Sequence, residues 1–352
     1  MTVLRWVVQK DLWNEKGYQQ LLDALDERRI PYDVVRVRPF IHDFQPVIEP
    51  TGPVVVMGWE GFGIRARSLG WRPGAYLSTN LDQRIWMREW GDRCLNADSV
   101  VCRLGDVPED HEEIFIRPVL DDKSFSGRLD TPASLAKWKA ELAAVVASIE
   151  AGESMPTVTL DTVVAWASPK TILNEWRFFI VGGVVVTGSR YQSGGRSSQE
   201  RMTLPDRTSS EWASSIEPDV WGFAQDAAEW WRPHPNFVLD VAETPDGLRI
   251  IECGCLNAAG WYDSDVSLIV DAVQEYERGR TRPPFDKGDA VHDVTKSGCI
   301  NGTYVEPMFG GLHAYEDLEG TRCAAEIAGD RCEGLHPGHD PEGVGAWFED
   351  DL

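Results

Sequence analysis

Residues 237–262, FVLDVAETPDGLRIIECGCLNAAGWY, constrain the fold more than any other stretch of the chain. Two apolar runs, 237–242 and 248–253, flank Thr244-Pro245-Asp246-Gly247, where Pro and Gly preset a tight reversal between paired strands. That hairpin places Asp240 on one strand, Glu252 near the end of its partner and Asn257 just beyond it. Three oxygen donors can converge there. Carboxylates and amide carbonyls suit a hard cation such as Mg2+, which completes its shell with water and substrate phosphates. The same spacing also fits an aspartate capping a turn and a glutamate facing solvent at a strand edge.

Cations precede this acidic set. Arg117 ends the run IFIRPV, Lys123 lies in the polar loop DDKSFSGR with Ser124 and Gly127, and Arg177 and Arg190 lie in NEWRFFIVGGVVVTGSRY. A guanidinium projecting from an apolar strand costs desolvation unless it meets an anion. Each of these arginines is therefore paired with a carboxylate, for which Glu175 is a candidate, or directed at a ligand. Ser124 and Ser126 can donate hydrogen bonds to phosphate oxygens.

Around this centre the chain has room for two domains, with 352 residues. Strands at 4–8, 32–37 and 53–57 alternate with helical spacing at Tyr18, Leu21, Leu22 and Leu25 and with a helix at 64–69, the rhythm of an open, parallel α/β layer. Thr131 and Pro132 open a helix whose expected buried face is Trp138, Leu142, Val145, Val146 and Ile149. Strands follow at 157–166, 175–181 and 184–191, the last two joined by Gly182-Gly183 as a two-residue hairpin. A Ser/Gly/Arg-rich loop spans 192–202, its Arg196 and Arg201 read as solvated or as contacts for an anionic acceptor, and helices are expected at 218–231 and 265–276. The expected domains are 1–110, 111–280 and a Gly/Pro-rich tail, 281–352. Within that tail, residues 301–352 carry twelve acidic and two basic side chains.

The formal charge of −23 disfavours phosphate backbones and anionic lipid surfaces, so neither nucleic acid nor membrane is an expected partner. No apolar run approaches the length of a membrane span, and seven cysteines are too few for a disulfide scaffold. A cytoplasmic protein is expected. Cys253 and Cys255 read as packing residues, and Cys323, Cys332, His336 and His339 are spaced too irregularly for a zinc finger. No G-x-x-x-x-G-K-[ST] or G-x-G-x-x-G phosphate loop is present.

The order of a strand bearing a cation, a polar Gly loop, a helix, an E-x-R hairpin, then Asp, Glu and Asn on paired strands resembles the ATP-grasp superfamily, over roughly residues 1–280. The resemblance implies an α/β (α+β) fold in which an open N-terminal subdomain is followed by two α+β subdomains clamping ATP. By position it implies phosphate contacts from Arg117, Lys123, Ser124, Gly127 and Arg190, and an adenine hinge at Val164, Ala165, Trp166 and Ala167. It places Glu175 and Arg177 beside the reacting phosphates, Arg177 and Lys123 acting catalytically. Asp240, Glu252 and Asn257 become ligands of Mg2+ or Mn2+. It departs from many members in that Glu252 and Asn257 are five apart rather than two, which admits Asp263 as another ligand. The implied activity is ATP-dependent joining of a small-molecule or peptide carboxylate to an amine or thiol through an acyl phosphate. Phosphotransfer without ligation, or a non-catalytic interaction role, is the alternative.

Overall fold

The computed structural model describes residues 4–10, 12, 15–38, 43–120, 124–149, 156–193, 196–202, 217–279, 298–300 and 303–305. The chain divides into two compact units, Met1–Thr79 together with the chain from Val270, and Asn80–Ile269.

In the first unit, β1 (Arg5–Gln9), α1 (Glu15–Glu27), β2 (Tyr32–Val37), β3 (Phe44–Gln45), β4 (Val54–Met57), α2 (Glu60–Ser68) and β5 (Pro73–Gly74) follow in order. The sheet order is β3-β2-β1-β4-β5. β1 pairs in parallel with β2 and β4, β5 is parallel to β4, and β3 is antiparallel at the edge. Trp6 to Val8 and all four residues of β4 are fully buried. Covering both faces of a parallel sheet demands such unbroken apolar strands. α2 begins at Glu60, earlier than the glycines suggest, because Glu60 suits the positive end of the helix and Phe62 and Ala66 fill the core beside Val54 and Val56.

The second unit contains α3 (Gln83–Trp90), β6 (Val100–Arg103), β7 (Ile114–Pro118), β8 (Arg128–Asp130), α4 (Pro132–Ala147) and β9 (Val163–Ala167). It continues with β10 (Asn174–Val181), β11 (Val184–Ser193), β12 (Arg196–Met202), α5 (Glu217–Trp230), β13 (Phe237–Thr244), β14 (Gly247–Cys255) and the first turn of α6 (Val266–Gly279). Two sheets result, ordered β6-β9-β7-β8 and β12-β11-β10-β13-β14, both antiparallel. A short pair, β15 (Gly298–Ile300) with β16 (Thr303–Val305), lies farther along the chain.

Thr131 caps α4 reciprocally with Ser134, as its sequence predicts. The expected buried face is only partly realised. Leu135 is buried and Trp138 and Leu142 pack on the core, but Val145 and Val146 are 47% and 36% exposed. A 16-residue helix runs about 24 Å, whereas strands of three to five residues run at most about 17 Å, so the last turns of α4 outreach the sheet beneath them. β9 starts at Val163 rather than near 157, because Thr159 and Thr162 close a turn ahead of it, the Thr159 N–H donating to Thr162 Oγ1 at 2.9 Å. Residues 196–202, expected as loop, form an edge strand antiparallel to β11, the ladder supplying partners for their backbone groups.

The five-stranded sheet has two unlike faces. Trp176, Phe178, Ile180, Phe237, Leu239 and Val241 point to a core shared with Trp86 and Trp90 of α3 and with Trp221, Ala224 and Ala228 of α5. Period-two alternation sends Glu175, Arg177 and Asp240 to the opposite face. Among the described residues no helix is long and apolar enough to cross a membrane.

Candidate functional site

Strand register assembles the centre of the site. Arg177 of β10 lies opposite Asp240 of β13, which lies opposite Glu252 of β14, so one row across three strands carries a cation and two carboxylates. Gly182 and Gly183, at φ 63 and 82, make the tight turn that fixes the β10–β11 hairpin. The β13–β14 turn is closed by Thr244, whose hydroxyl donates to Gly247 O at 2.8 Å.

Arg177 grips Asp240 with two parallel bonds, Nε to Oδ1 at 2.8 Å and Nη2 to Oδ2 at 2.7 Å. The two side chains are 19% and 6% exposed. A fork geometry of this kind is the strongest arginine–carboxylate arrangement. Burial works against the charge on Arg177, but the charge and hydrogen bonds of Asp240, with Tyr262 and Tyr191, outweigh it and raise the guanidinium's pKa. Arg117 of β7 reaches Glu252 at 3.0 Å, and so ties the four-stranded sheet to the five-stranded one. Asn257 is fully buried in the 3-10 turn after β14, its Oδ1 3.3 Å from the Cys255 thiol.

Glu175 accepts a 2.7 Å hydrogen bond from Tyr191 Oη. Its pKa is raised, chiefly by burial and further by the charge of Asp240, while the Tyr191 bond acts in the opposite sense. A carboxyl whose folded pKa exceeds its unfolded one binds its proton more tightly when folded, so its contribution to stability declines as pH rises across that interval. Glu175→Gln is expected to remove this decline. Urea unfolding from about pH 4 to about pH 7 should then show the wild-type-minus-variant stability difference falling steadily, and a constant difference would contradict the raised value.

Sequence reasoning missed two aromatic residues. Tyr191 and Tyr262 stack at 4.6 Å with their planes 10° apart, and the Arg177 guanidinium lies 5.0 Å from the Tyr262 ring and 5.9 Å from that of Tyr191. The Y of GSRY and the terminal Y of AAGWY were the available signal, two tyrosines next to residues already singled out. Burial foremost raises the pKa of both phenols.

The remaining expected residues have mixed placements. Ser124 is described, and Gly127 is explained by packing, since a Cβ there would come within 2.6 Å of the Phe115 ring. Val164 to Trp166 lie in the central strand β9 with ladder neighbours on both sides, whereas Ala167, at its end, pairs with Phe115 of β7. Arg190 sits on β11, opposite Trp176. Asp263 lies in the loop after the 3-10 turn, its N–H directed at Ser189 Oγ, 3.3 Å away. Lys123, Cys323, Cys332, His336 and His339 lie outside the described residues, as do the side chains of Arg196 and Arg201.

Among the described residues no three His, Cys, Asp or Glu side chains form a metal-holding group. Asp240, Glu252 and Asn257 nonetheless offer hard oxygens on adjacent strands and the following turn. A carboxylate oxygen that accepts one arginine N–H keeps a second lone pair. That donor set fits a Mg2+ ion taking its other ligands from phosphates and water. The described cysteines Cys94, Cys102, Cys253 and Cys255 are reduced thiols, and burial pushes Cys94 up to about 12, far from a reactive thiolate.

Residues 65–275, more than half of the chain, match a family model described as an ATP-grasp domain, family 3 of its clade. The chain therefore belongs to the ATP-grasp family, as the resemblance in its motifs implied. It is similar in shape to the RimK domain protein ATP-grasp from Sphaerobacter thermophilus, with a TM-score of 0.49 and 14% identity, over 76% of this chain and 99% of that one. It is similar also to D-cycloserine synthetase, with a TM-score of 0.49 and 12% identity, over 78% and 99% of the two chains. A probable transaldolase from Desulfitobacterium hafniense is 26% identical over 156 residues, 43% of this chain and 70% of that protein.

Proposed function

We propose that this protein is a cytoplasmic ATP-dependent ligase that joins a small-molecule or peptide carboxylate to an amine, or to a thiol, with Mg2+ or Mn2+ as cofactor. The observation that carries the reading is the row Arg177–Asp240–Glu252, backed by Arg117 from the second sheet. Buried arginines opposite carboxylates on one sheet face supply both signs of charge that a metal-borne triphosphate requires. In this reading residues 111–280 bind the nucleotide, 1–110 face the substrate, and 281–352 are accessory.

The substrate carboxylate attacks the terminal phosphorus, the bond to the bridging oxygen breaks, and ADP leaves. The amine then attacks the acyl carbon of the resulting acyl phosphate, loses a proton and expels phosphate. Arg177 and Lys123 neutralise charge on the transferred phosphoryl group, while Arg117, Arg190, Ser124 and the Gly127 loop hold the other phosphate oxygens. Glu175, through Tyr191, sets the environment of Arg177. Adenine is held toward the Ala167 end of Val164–Ala167. Asp240, Glu252 and Asn257 would hold the divalent ion, which supplies further charge neutralisation on the phosphates. No protein nucleophile is required.

Calorimetric titration with a non-hydrolysable ATP analogue, with and without Mg2+, tests the reading. Micromolar, Mg2+-dependent binding, followed by ADP release and a joined product from a panel of carboxylate and amine pairs, is the expected result. Binding with phosphoryl transfer to a single acceptor and no joined product would instead favour a phosphotransferase. A folded protein that binds nothing at millimolar analogue overturns the nucleotide site.

A further inference from the structure

Tyr262 has φ 51, in the left-handed region that a bulky side chain ordinarily avoids at a cost of about 1–3 kcal/mol. Such a conformation persists only where surrounding contacts over-determine it, and here they are identifiable. The backbone N–H groups of Asp263 and Asp265 donate to the hydroxyls of Ser189 and Thr187, at 3.3 and 3.1 Å, and both hydroxyl residues are fully buried on β11. The Ser264 N–H closes on Trp261 O at 3.0 Å, and the Trp261 ring packs 5.4 Å from Phe179 of β10. The loop is thus pinned on both sides of Tyr262 to the two strands that carry Arg177 and Tyr191.

The held conformation puts the Tyr262 ring between two things. One face lies on Tyr191, and the Arg177 guanidinium stands 5.0 Å from its centroid. The same loop presents Gly260 O to Arg177 Nη1 at 3.4 Å. Asp240 therefore fixes one edge of the guanidinium, Gly260 touches another, and the tyrosines limit its tilt. Among the described residues three of its five N–H groups have acceptors, Nε and Nη2 on Asp240 and Nη1 on Gly260.

We infer that Tyr262, backed by Tyr191, is a positioning residue that fixes the plane of the Arg177 guanidinium so that its remaining N–H groups meet the terminal phosphoryl group of the nucleotide. The inference rests on the nucleotide reading of the site and goes beyond it in assigning that role to a strained aromatic side chain. Cation–π contact with a partly desolvated guanidinium is the interaction involved. A residue kept in an unfavourable backbone region for its ring alone should be replaceable by glycine without harm to the fold, because glycine adopts this φ freely.

The test compares binding of the non-hydrolysable ATP analogue and of ADP, each with Mg2+, to the full chain. Wild type is expected to prefer the analogue. Tyr262→Gly should melt at or above the wild-type temperature and lose about ten-fold in analogue affinity, about 1.4 kcal/mol, with ADP affinity nearly unchanged, so that the preference collapses. Tyr262→Phe should restore the preference. Tyr262→Asn, which also tolerates this backbone, should repeat the collapse and serves as the second variant. A folded Tyr262→Gly or Tyr262→Asn protein that keeps the wild-type preference overturns the inference alone, as does a Tyr262→Phe protein as impaired as Tyr262→Gly. A wild type that binds neither nucleotide overturns the nucleotide reading, and this inference with it.

Discussion

Asp240→Ala should cost about 3–5 kcal/mol of folding stability, because it strips a buried guanidinium of its partner. Arg177 cannot escape by losing its proton, since arginine remains charged throughout the accessible range. Nor can it reach water easily from a side chain only 19% exposed. Replacing both members, as in Arg177→Met with Asp240→Leu, should cost much less, because no charge is then left without a partner. Urea unfolding of the two single variants and the double variant yields the coupling directly. A loss below about 1 kcal/mol for Asp240→Ala would show that the guanidinium swings out to solvent, which is incompatible with its fixed place between Asp240, Gly260 and the tyrosines.

Trp90→Ala should be nearly as severe, at about 4 kcal/mol, for an unrelated reason. Trp90 is 2% exposed at the end of α3, with ring centroids 5.0 Å from Trp231, 6.2 Å from Trp86 and 6.4 Å from Phe237. Its indole N–H also donates to Ala227 O, near the end of α5, at 3.0 Å. Truncation therefore leaves both a cavity and a buried carbonyl without its donor. Trp90→Phe refills most of the space and should fall between wild type and Trp90→Ala in the midpoint of urea unfolding. Equal losses for the two substitutions would mean that the hydrogen bond, not the volume, holds α3 to α5.

The features legible in the sequence share a short physical range. Gly182-Gly183 and Thr244-Pro245-Asp246-Gly247 set their own turns, and once the hairpins close, register alone brings Arg177, Asp240 and Glu252 into one row. The Thr131 cap is equally local. What escaped the sequence depends on contacts between distant segments. Tyr191 and Tyr262 are separated by 71 positions, and nothing in their spacing shows that a loop in a left-handed turn stacks one on the other. Arg117 and Glu252, whose hydrogen bond joins two different sheets, were each recognisable as site residues but not as each other's partner. Val145 and Val146 fail in the opposite direction, since helical periodicity marks which side a residue faces but not how far the sheet beneath extends.

The pairing of Arg177 with Asp240 and of Arg117 with Glu252 also bears on turnover. A site whose cations already hold carboxylates cannot simply gain an anion. It must exchange one partner for another, and the net affinity is the small difference between two ionic contacts of similar strength. An exchange of that kind runs about as easily backward as forward. The paired arginines thus suit a protein that must let go of a spent phosphate group as readily as it takes up a fresh one.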